Sequence, residues 1–227
     1  MPLEVDKLHQ KSFRGSDPFR YAQVKGTGDS DHASWWTFDD EQELRDRWWH
    51  PQAGETVLDI GAAFGSYALP ALALGARVVC FSPADFDTEL LNLNLSLNPT
   101  LEKRCLVVRD GLYSRQGWFN PDKGHFSSSS GGGQWLRCVS LDSFLLDRPG
   151  IAKIDWMKLD VEGAELEVLK GAETTLRLDR PKILVENHEF QVKGIENQVR
   201  DFLSTFGYVC DGPYPHCAVS HSFFEVR

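Results

Sequence analysis

The sequence predicts an α/β fold built on a mostly parallel sheet. Three observations predict it. From Thr56 onward, short apolar runs alternate with segments of helical periodicity. One of those runs, Val57-Leu58-Asp59-Ile60, breaks at Gly61 and passes directly into a helical pattern over 67–74. Polar residues collect where the apolar runs end, as in sheets that bind ligands at the carboxyl ends of their strands.

Residues 1–34 read as polar and irregular, with a loop at Gly26-Thr27-Gly28-Asp29-Ser30-Asp31. Trp35-Trp36 follow. A helix then begins at the acidic Asp39-Asp40-Glu41, where carboxylates favour a helix N-terminus, and ends at Trp48-Trp49-His50-Pro51. Four tryptophans ahead of the first core strand suit either a lid over a pocket or, the reading preferred here, packing of an N-terminal extension (1–50) onto a domain spanning 51–227.

Val57, Leu58 and Ile60 have the continuous apolar character of a strand covered on both faces. Gly61 and Gly65 allow a tight turn and close approach of a ligand. Their spacing, Gly61-x-x-x-Gly65, is not the G-x-G-x-x-G of a dinucleotide turn. Asp59, two residues before the first glycine, repels phosphate and suits a cationic ligand such as S-adenosylmethionine, which carries an ammonium and a sulfonium. A strand-turn-helix corner with a structural aspartate is the plain alternative.

The second strand covers 77–82, and Phe86, Leu90, Leu93 and Leu97 recur at helical spacing behind it. A third strand, 105–108, ends at Arg109-Asp110-Gly111. Trp118-Phe119 and 134–139 read as an antiparallel pair around the serine- and glycine-rich run 127–133, a flexible surface loop or a gate. A short helix at 141–146 and a strand at 154–159, ending at Asp160, come next. Leu166, Leu169, Ala172 and Leu176 mark one helix, stopped by Pro181. Ile183-Leu184-Val185 is a strand ending at Glu186-Asn187-His188-Glu189. The segment 195–206 is a helix closed by Gly207. The stretches 208–210 and 222–226 form a closing antiparallel pair.

Composition narrows the function. The 227 residues carry a net charge of −9 and a pI near 5.2. That balance disfavours sequence-independent nucleic-acid binding and docking on anionic membranes, both of which rest on lysine and arginine. The five cysteines, Cys80, Cys105, Cys138, Cys210 and Cys217, are odd in number and form no C-x-x-C, so no disulfide framework or zinc site is signalled. No charged-then-apolar leader opens the chain and no apolar run reaches membrane-spanning length. A soluble cytoplasmic protein is expected.

Reading the strand ends in turn gives the candidate site. Asp59, Gly61, Phe64, Gly65 and Ser66 would surround the methionine part of the ligand. Ser82 and Asp85 would lie at the ribose, and Asp110, Gly111 and Leu112 at the adenine. Asp160 would face the methyl donor. Asp160, Glu162, Glu186 and His188 are candidates for a base acting on an acceptor hydroxyl, with Asp160 and His188 favoured. Lys158 shares a strand face with Asp160 and reads as a buried countercharge. The same carboxylates with His188 have the chemistry for a divalent ion, a possibility not favoured because their spacing is not diagnostic.

These residues carry a resemblance. The sequence resembles the FkbM family of S-adenosylmethionine-dependent methyltransferases. Val57-Leu58-Asp59-Ile60-Gly61-Ala62 matches the family's first motif, placing Ala62 with the cofactor residues. Asn94 and Asn98 match its paired asparagines, and Leu141-Asp142-Ser143-Phe144 its LDxh segment. The most specific match is Met157-Lys158-Leu159-Asp160-Val161-Glu162-Gly163-Ala164-Glu165, with Leu169-Lys170-Gly171-Ala172 behind it. Leu184-Val185-Glu186-Asn187-His188 and Gly207-Tyr208 continue the match. The resemblance implies a class I methyltransferase (Rossmann-like) three-layer sandwich whose seven-stranded sheet has an antiparallel last strand. It also implies O-methylation of a small-molecule or glycan substrate.

One residue departs from the pattern. The family usually ends its second strand with an acid that takes both ribose hydroxyls, and here Ser82 stands there. Losing a charged acceptor costs roughly 1.5–3 kcal/mol, about ten- to a hundredfold in affinity. That substitution supports an alternative, a catalytically idle protein on the same fold. An NAD-dependent oxidoreductase is disfavoured by the glycine spacing and by the missing acid.

Overall fold

A computed structural model describes residues 5–24, 41–120, 125–130, 134–216 and 219–227. The chain opens with an antiparallel hairpin, β1 (Val5–Lys11) and β2 (Phe19–Val24). This corrects the reading of residues 1–34 as irregular. Phe19, Tyr21 and Ala22 are buried, and the hairpin is held by side chains far away in sequence. Asn94 Oδ1 accepts from the Ala22 amide at 2.7 Å, and Asn98 Oδ1 from the Arg20 amide at 2.7 Å. Asn94, on the helix Asp85–Ser96, and Asn98, just beyond its end, thus satisfy alternate amides of a strand, which local polarity does not reveal. The expected loop at 26–31 and Trp35-Trp36 lie outside the described residues.

Next comes α1 (Gln42–Trp48), as expected. Trp48 and Trp49 are buried. The Trp49 ring lies edge-on to Trp156, with centroids 5.4 Å apart, and its indole N–H donates to the Tyr67 carbonyl at 3.2 Å. These two rings pack the extension against the sheet, as the preferred reading has it.

The alternating part runs β3 (Thr56–Ile60), α2 (Ala68–Ala73), β4 (Arg77–Phe81), α3 (Asp85–Ser96), α4 (Pro99–Glu102) and β5 (Cys105–Val108). A small four-stranded sheet follows, β6 (Gly111–Leu112), β7 (Gly117–Asn120), β8 (His125–Ser127) and β9 (Leu136–Val139), with β7 antiparallel to β9 as expected. Ser127 ends β8 rather than starting a loop, and Gly131, Gly132 and Gly133 lie outside the described residues.

The chain continues through α5 (Leu141–Leu146), β10 (Trp156–Leu159), α6 (Glu165–Lys170), α7 (Glu173–Leu178), β11 (Lys182–Asn187), α8 (Ile195–Ser204), β12 (Tyr208–His216) and β13 (Val219–Val226). The single helix expected over 166–176 is two. It breaks at Gly171, where a Cβ would lie 2.2 Å from the Tyr113 carbonyl oxygen. The N-terminus of α7 is capped by Asp142, whose carboxylate accepts from the Thr174 and Thr175 amides at 2.7 and 3.0 Å. This gives the LDxh segment a structural role.

The main sheet has the order β12-β13-β11-β10-β3-β4-β5. All contacts among β11, β10, β3, β4 and β5 are parallel, and β13 is antiparallel to both its neighbours. Two apolar cores form, one on each face. Val57, Val78, Trp156 and Leu184 belong to one, with α1, α2 and the hairpin. Leu58, Ile60, Met157, Leu159, Ile183 and Val185 belong to the other, with α6 and α8. The period of two that sorts them puts Asp59, Lys158 and Glu186 on the α1–α2 face. Among the described residues no helix is long and apolar enough to cross a membrane.

Candidate active site

The turn after β3 is strained. Gly61, Ala63 and Gly65 have φ of +85°, +43° and +95°, and Ala63 pays a left-handed conformation that side chains disfavour. A Cβ on Gly61 would stand 1.7 Å from the Asp160 carbonyl oxygen. Glycine is therefore demanded by the crossing of the β3 and β10 tips, not only by a ligand. The Gly61 and Ala62 amides both donate to the Phe81 carbonyl, at 2.9 and 3.1 Å. Ala62, expected with the cofactor residues, is buried and its N–H is spent inside the protein. Asn94 Nδ2 donates to the Phe64 carbonyl at 2.9 Å, tying the turn to α3. Gly61, Phe64 and Ser66 remain partly exposed.

Asp59 is 2% exposed. Its carboxyl sits under the turn, facing the Ala68 amide and the Lys158 ammonium, and burial outweighs both to push it up to about 7. Asp59, expected around the ligand, thus lies under the turn, beside the N-terminus of α2.

The tips of β10 and β11 meet beside this turn. The Asp160 amide donates to the Ile60 carbonyl at 2.9 Å. Glu162 and Gly163 have φ of +51° and +95°, so the acidic turn folds back towards β11. His188 is 2% exposed, and its Nδ1 lies 2.7 Å from Glu165 Oε1. Its Nε2 lies 3.5 Å from Asp160 Oδ1, 3.6 Å from Glu162 Oε2 and 3.7 Å from Glu186 Oε1. Burial opposes charge on this imidazole, but the Glu165 hydrogen bond and the surrounding carboxylates prevail and raise it to about 9. Asp160 is raised to about 7 by burial against the pull of Lys158, with Glu186 and Glu41 adding to the rise. Lys158 is the expected countercharge. It is 1% exposed, with Nζ 3.5 Å from Asp160 Oδ2 and 3.4 Å from Glu186 Oε2.

The remaining candidates are placed less centrally. Ser82, at the β4 tip, is 2% exposed, with its hydroxyl 3.4 Å from Thr88 Oγ1. Asp85 is exposed and paired with Arg109. Gly111 and Leu112 are buried in β6. Neither offers more than an edge to a ligand, while Asp110 stays partly open, 3.7 Å from Arg137. Sequence reading missed Glu165 as an orienting partner of His188, although the motif contains it. It also missed Asp87 on α3, whose carboxyl is raised by burial and by the facing Glu162.

Two triads have donor atoms within 4.8 Å of one another, Asp160 with Glu186 and His188, and Glu41 with Glu186 and His221. The Lys158 ammonium lies against Glu186, which both triads share, so a fixed cation already serves these carboxylates. A cationic nucleoside fits better. The turn is glycine-cradled, free of lysine and arginine, and rimmed by Asp160 and Glu162.

This order of strands, with the last antiparallel and the candidate residues at the tips of β3, β10 and β11, is that of a class I methyltransferase. The Methyltransferase FkbM domain model matches residues 59–210, and the chain belongs to that family. Among solved structures it is similar to the FkbM methyltransferase of Methylobacillus flagellatus KT (15% identity, TM-score 0.56), with 76% of this chain covering 43% of that one. It is also similar to a putative SAM-dependent methyltransferase of Streptococcus mutans (13%, TM-score 0.60, 98% of this chain and 56% of that one). M. jannaschii TYW2 in complex with AdoMet is a third neighbour (14%, TM-score 0.51, 100% and 89%). The chain thus spans about half the length of the first two. No curated protein matches it in sequence.

Proposed function

We propose that the chain is an S-adenosylmethionine-dependent O-methyltransferase acting on a hydroxyl of a sugar, glycan or natural-product small molecule. One observation carries the reading. A glycine turn with no basic residue abuts, at the same sheet edge, an aspartate and a carboxylate-oriented histidine whose proton affinities lie at about 7 and about 9. S-adenosylmethionine supplies a methyl group on a positively charged sulfur. The turn from Gly61 to Ser66 holds the amino-acid end, and Asp160 and Glu162 balance the charge. Alignment is most of the catalytic task.

Asp160 and His188 share the proton work. In the empty cleft His188 carries a proton and donates towards Asp160. With a cation in the cleft it loses that proton more readily, and Glu165 on Nδ1 keeps Nε2 aimed at the acceptor. Asp160 then accepts the hydroxyl proton directly or through His188. The free thiols of Cys80, Cys105, Cys138 and Cys210 suit the reducing cytoplasm in which this reading places the protein.

Calorimetry with S-adenosylmethionine and with NAD tests binding. Saturable binding of the first alone is expected. Asp160→Asn should retain that binding and lose methyl transfer, and wild-type turnover by that variant removes Asp160 from the mechanism. The idle alternative has Ser82 in its favour. It predicts no heat with S-adenosylmethionine from a folded sample.

A further inference from the structure

Beneath the cleft, on the α1–α2 face of the sheet, lies a buried row of charged groups that the methyl-transfer chemistry does not explain. The β11–β13 register places His221 directly opposite Glu186. His221 is fully buried, with Nε2 3.3 Å from Glu186 Oε2 and 3.3 Å from Glu41 Oε1. Glu41 opens α1, is 6% exposed, and lies 3.8 Å from Arg45, itself 1% exposed. Lys158 reaches the same Glu186 oxygen that His221 reaches. The row therefore alternates in charge: Arg45, Glu41, His221, Glu186, Lys158, Asp160. Packing would be served as well or better by apolar side chains, since buried ion pairs repay their desolvation poorly.

The shared oxygen gives the row its logic. An imidazolium at 221 satisfies Glu186 from the β13 side and leaves the Lys158 ammonium to Asp160. Without it Glu186 draws Lys158 away, and Asp160 loses its countercharge. Glu41 is what keeps His221 charged.

We infer that His221, outside the residues 59–210 matched by the family model, is a positioning residue that acts through Glu186 and Lys158 to hold Asp160 ionised at the cleft floor, and that Glu41 serves it by keeping its imidazole charged. Every charged or titratable neighbour enters this balance. His221 faces Glu41, Glu186, Lys158 and the His216 ring at 5.8 Å. Glu41 faces His221, Lys158, Glu186, Arg45, Asp59 and the Tyr67 hydroxyl. Asp160 faces Lys158, Glu186, Glu41 and His188. Lys158 also meets Asp59 and the Tyr67 ring, at 4.9 Å. The raised proton affinity of His221, where the two carboxylates overcome burial, agrees with a cation there.

The inference rests on the methyltransferase reading for the use made of Asp160, so its test is read without ligand. Carbon-13 NMR follows the Asp160 carboxyl, assigned with Asp160→Asn, in wild type and His221→Asn. Its midpoint should move alkaline by about one pH unit in folded His221→Asn, while nitrogen-15 NMR of Glu41→Gln should show the His221 midpoint moved acid. An unmoved midpoint in folded variants overturns the inference. Nitrogen-15 NMR of wild type keeps the test decisive if neither variant folds, because a neutral His221 imidazole at neutral pH also overturns it. Calorimetry with S-adenosylmethionine separates the two claims. Wild-type binding supports the reading, and its absence from a folded sample counts against the reading alone, leaving the Asp160 midpoint to decide the inference.

Discussion

Gly61→Ala, compared with Gly207→Ala, separates backbone strain from steric collision at the heart of the site. The two glycines have nearly the same conformation, φ +85° and +83°. An added Cβ at 207 meets nothing within 4 Å, whereas at 61 it stands 1.7 Å from the Asp160 carbonyl oxygen. Each substitution costs about 1–2 kcal/mol for a left-handed alanine. Gly61→Ala adds roughly 1–3 kcal/mol of overpacking, because a backbone carbonyl in the central strand pair cannot swing aside as a side chain can. In a chain of this size each kcal/mol lowers Tm by about 2–4 °C. Gly207→Ala should therefore lose about 2–8 °C and Gly61→Ala about 4–20 °C, read by calorimetric melting. In urea the midpoint should fall with an unchanged m-value. Equal losses in the two variants would refute the claim that the β3 and β10 tips are locked against each other.

Three further outcomes are expected. Lys158→Met leaves the buried Glu186 and the partly exposed Asp160 without their shared ammonium and should cost about 3–5 kcal/mol in urea unfolding; a loss below about 1 kcal/mol contradicts the countercharge role. His188 is raised from 6.5 to about 9, so its contribution is complete below pH 6.5 and disappears as pH rises through 9, at most about 3 kcal/mol in all. Unfolding midpoints of wild type should fall across that window, and His188→Gln should flatten the profile. Ser82→Asp should tighten S-adenosylmethionine binding by about tenfold or more if the β4 tip meets the ribose, and unchanged affinity in calorimetry moves the ribose elsewhere.

The sheet was legible because its strands are covered on both faces, so Val57 to Ile60 and Ile183 to Val185 stand out as apolar runs. Glycine, proline and acidic punctuation marked most helix ends. The hairpin was hidden because its amides are satisfied by Asn94 and Asn98, some seventy residues away. The break at Gly171 was hidden because the residue that forces it, Tyr113, lies just after β6, far away in sequence. At the site, motif spacing gave Asp160, Glu162 and His188, which the fold gathers within 3.6 Å of the imidazole. Periodicity put Lys158 on the right face. It could not give the β11–β13 register that sets His221 against Glu186, nor the burial of Asp59, because both arise from tertiary packing.

The central claim is that the Gly61 to Ser66 turn holds the amino-acid end of S-adenosylmethionine with its sulfur beside Asp160. A crystal structure of the chain with S-adenosylhomocysteine tests it most directly. The account predicts the sulfur between that turn and the Asp160 and His188 side chains, with open space beyond it for an acceptor. A nucleoside lodged at any other strand tip, or density beside Asp160 that lacks it at saturating ligand, would contradict it.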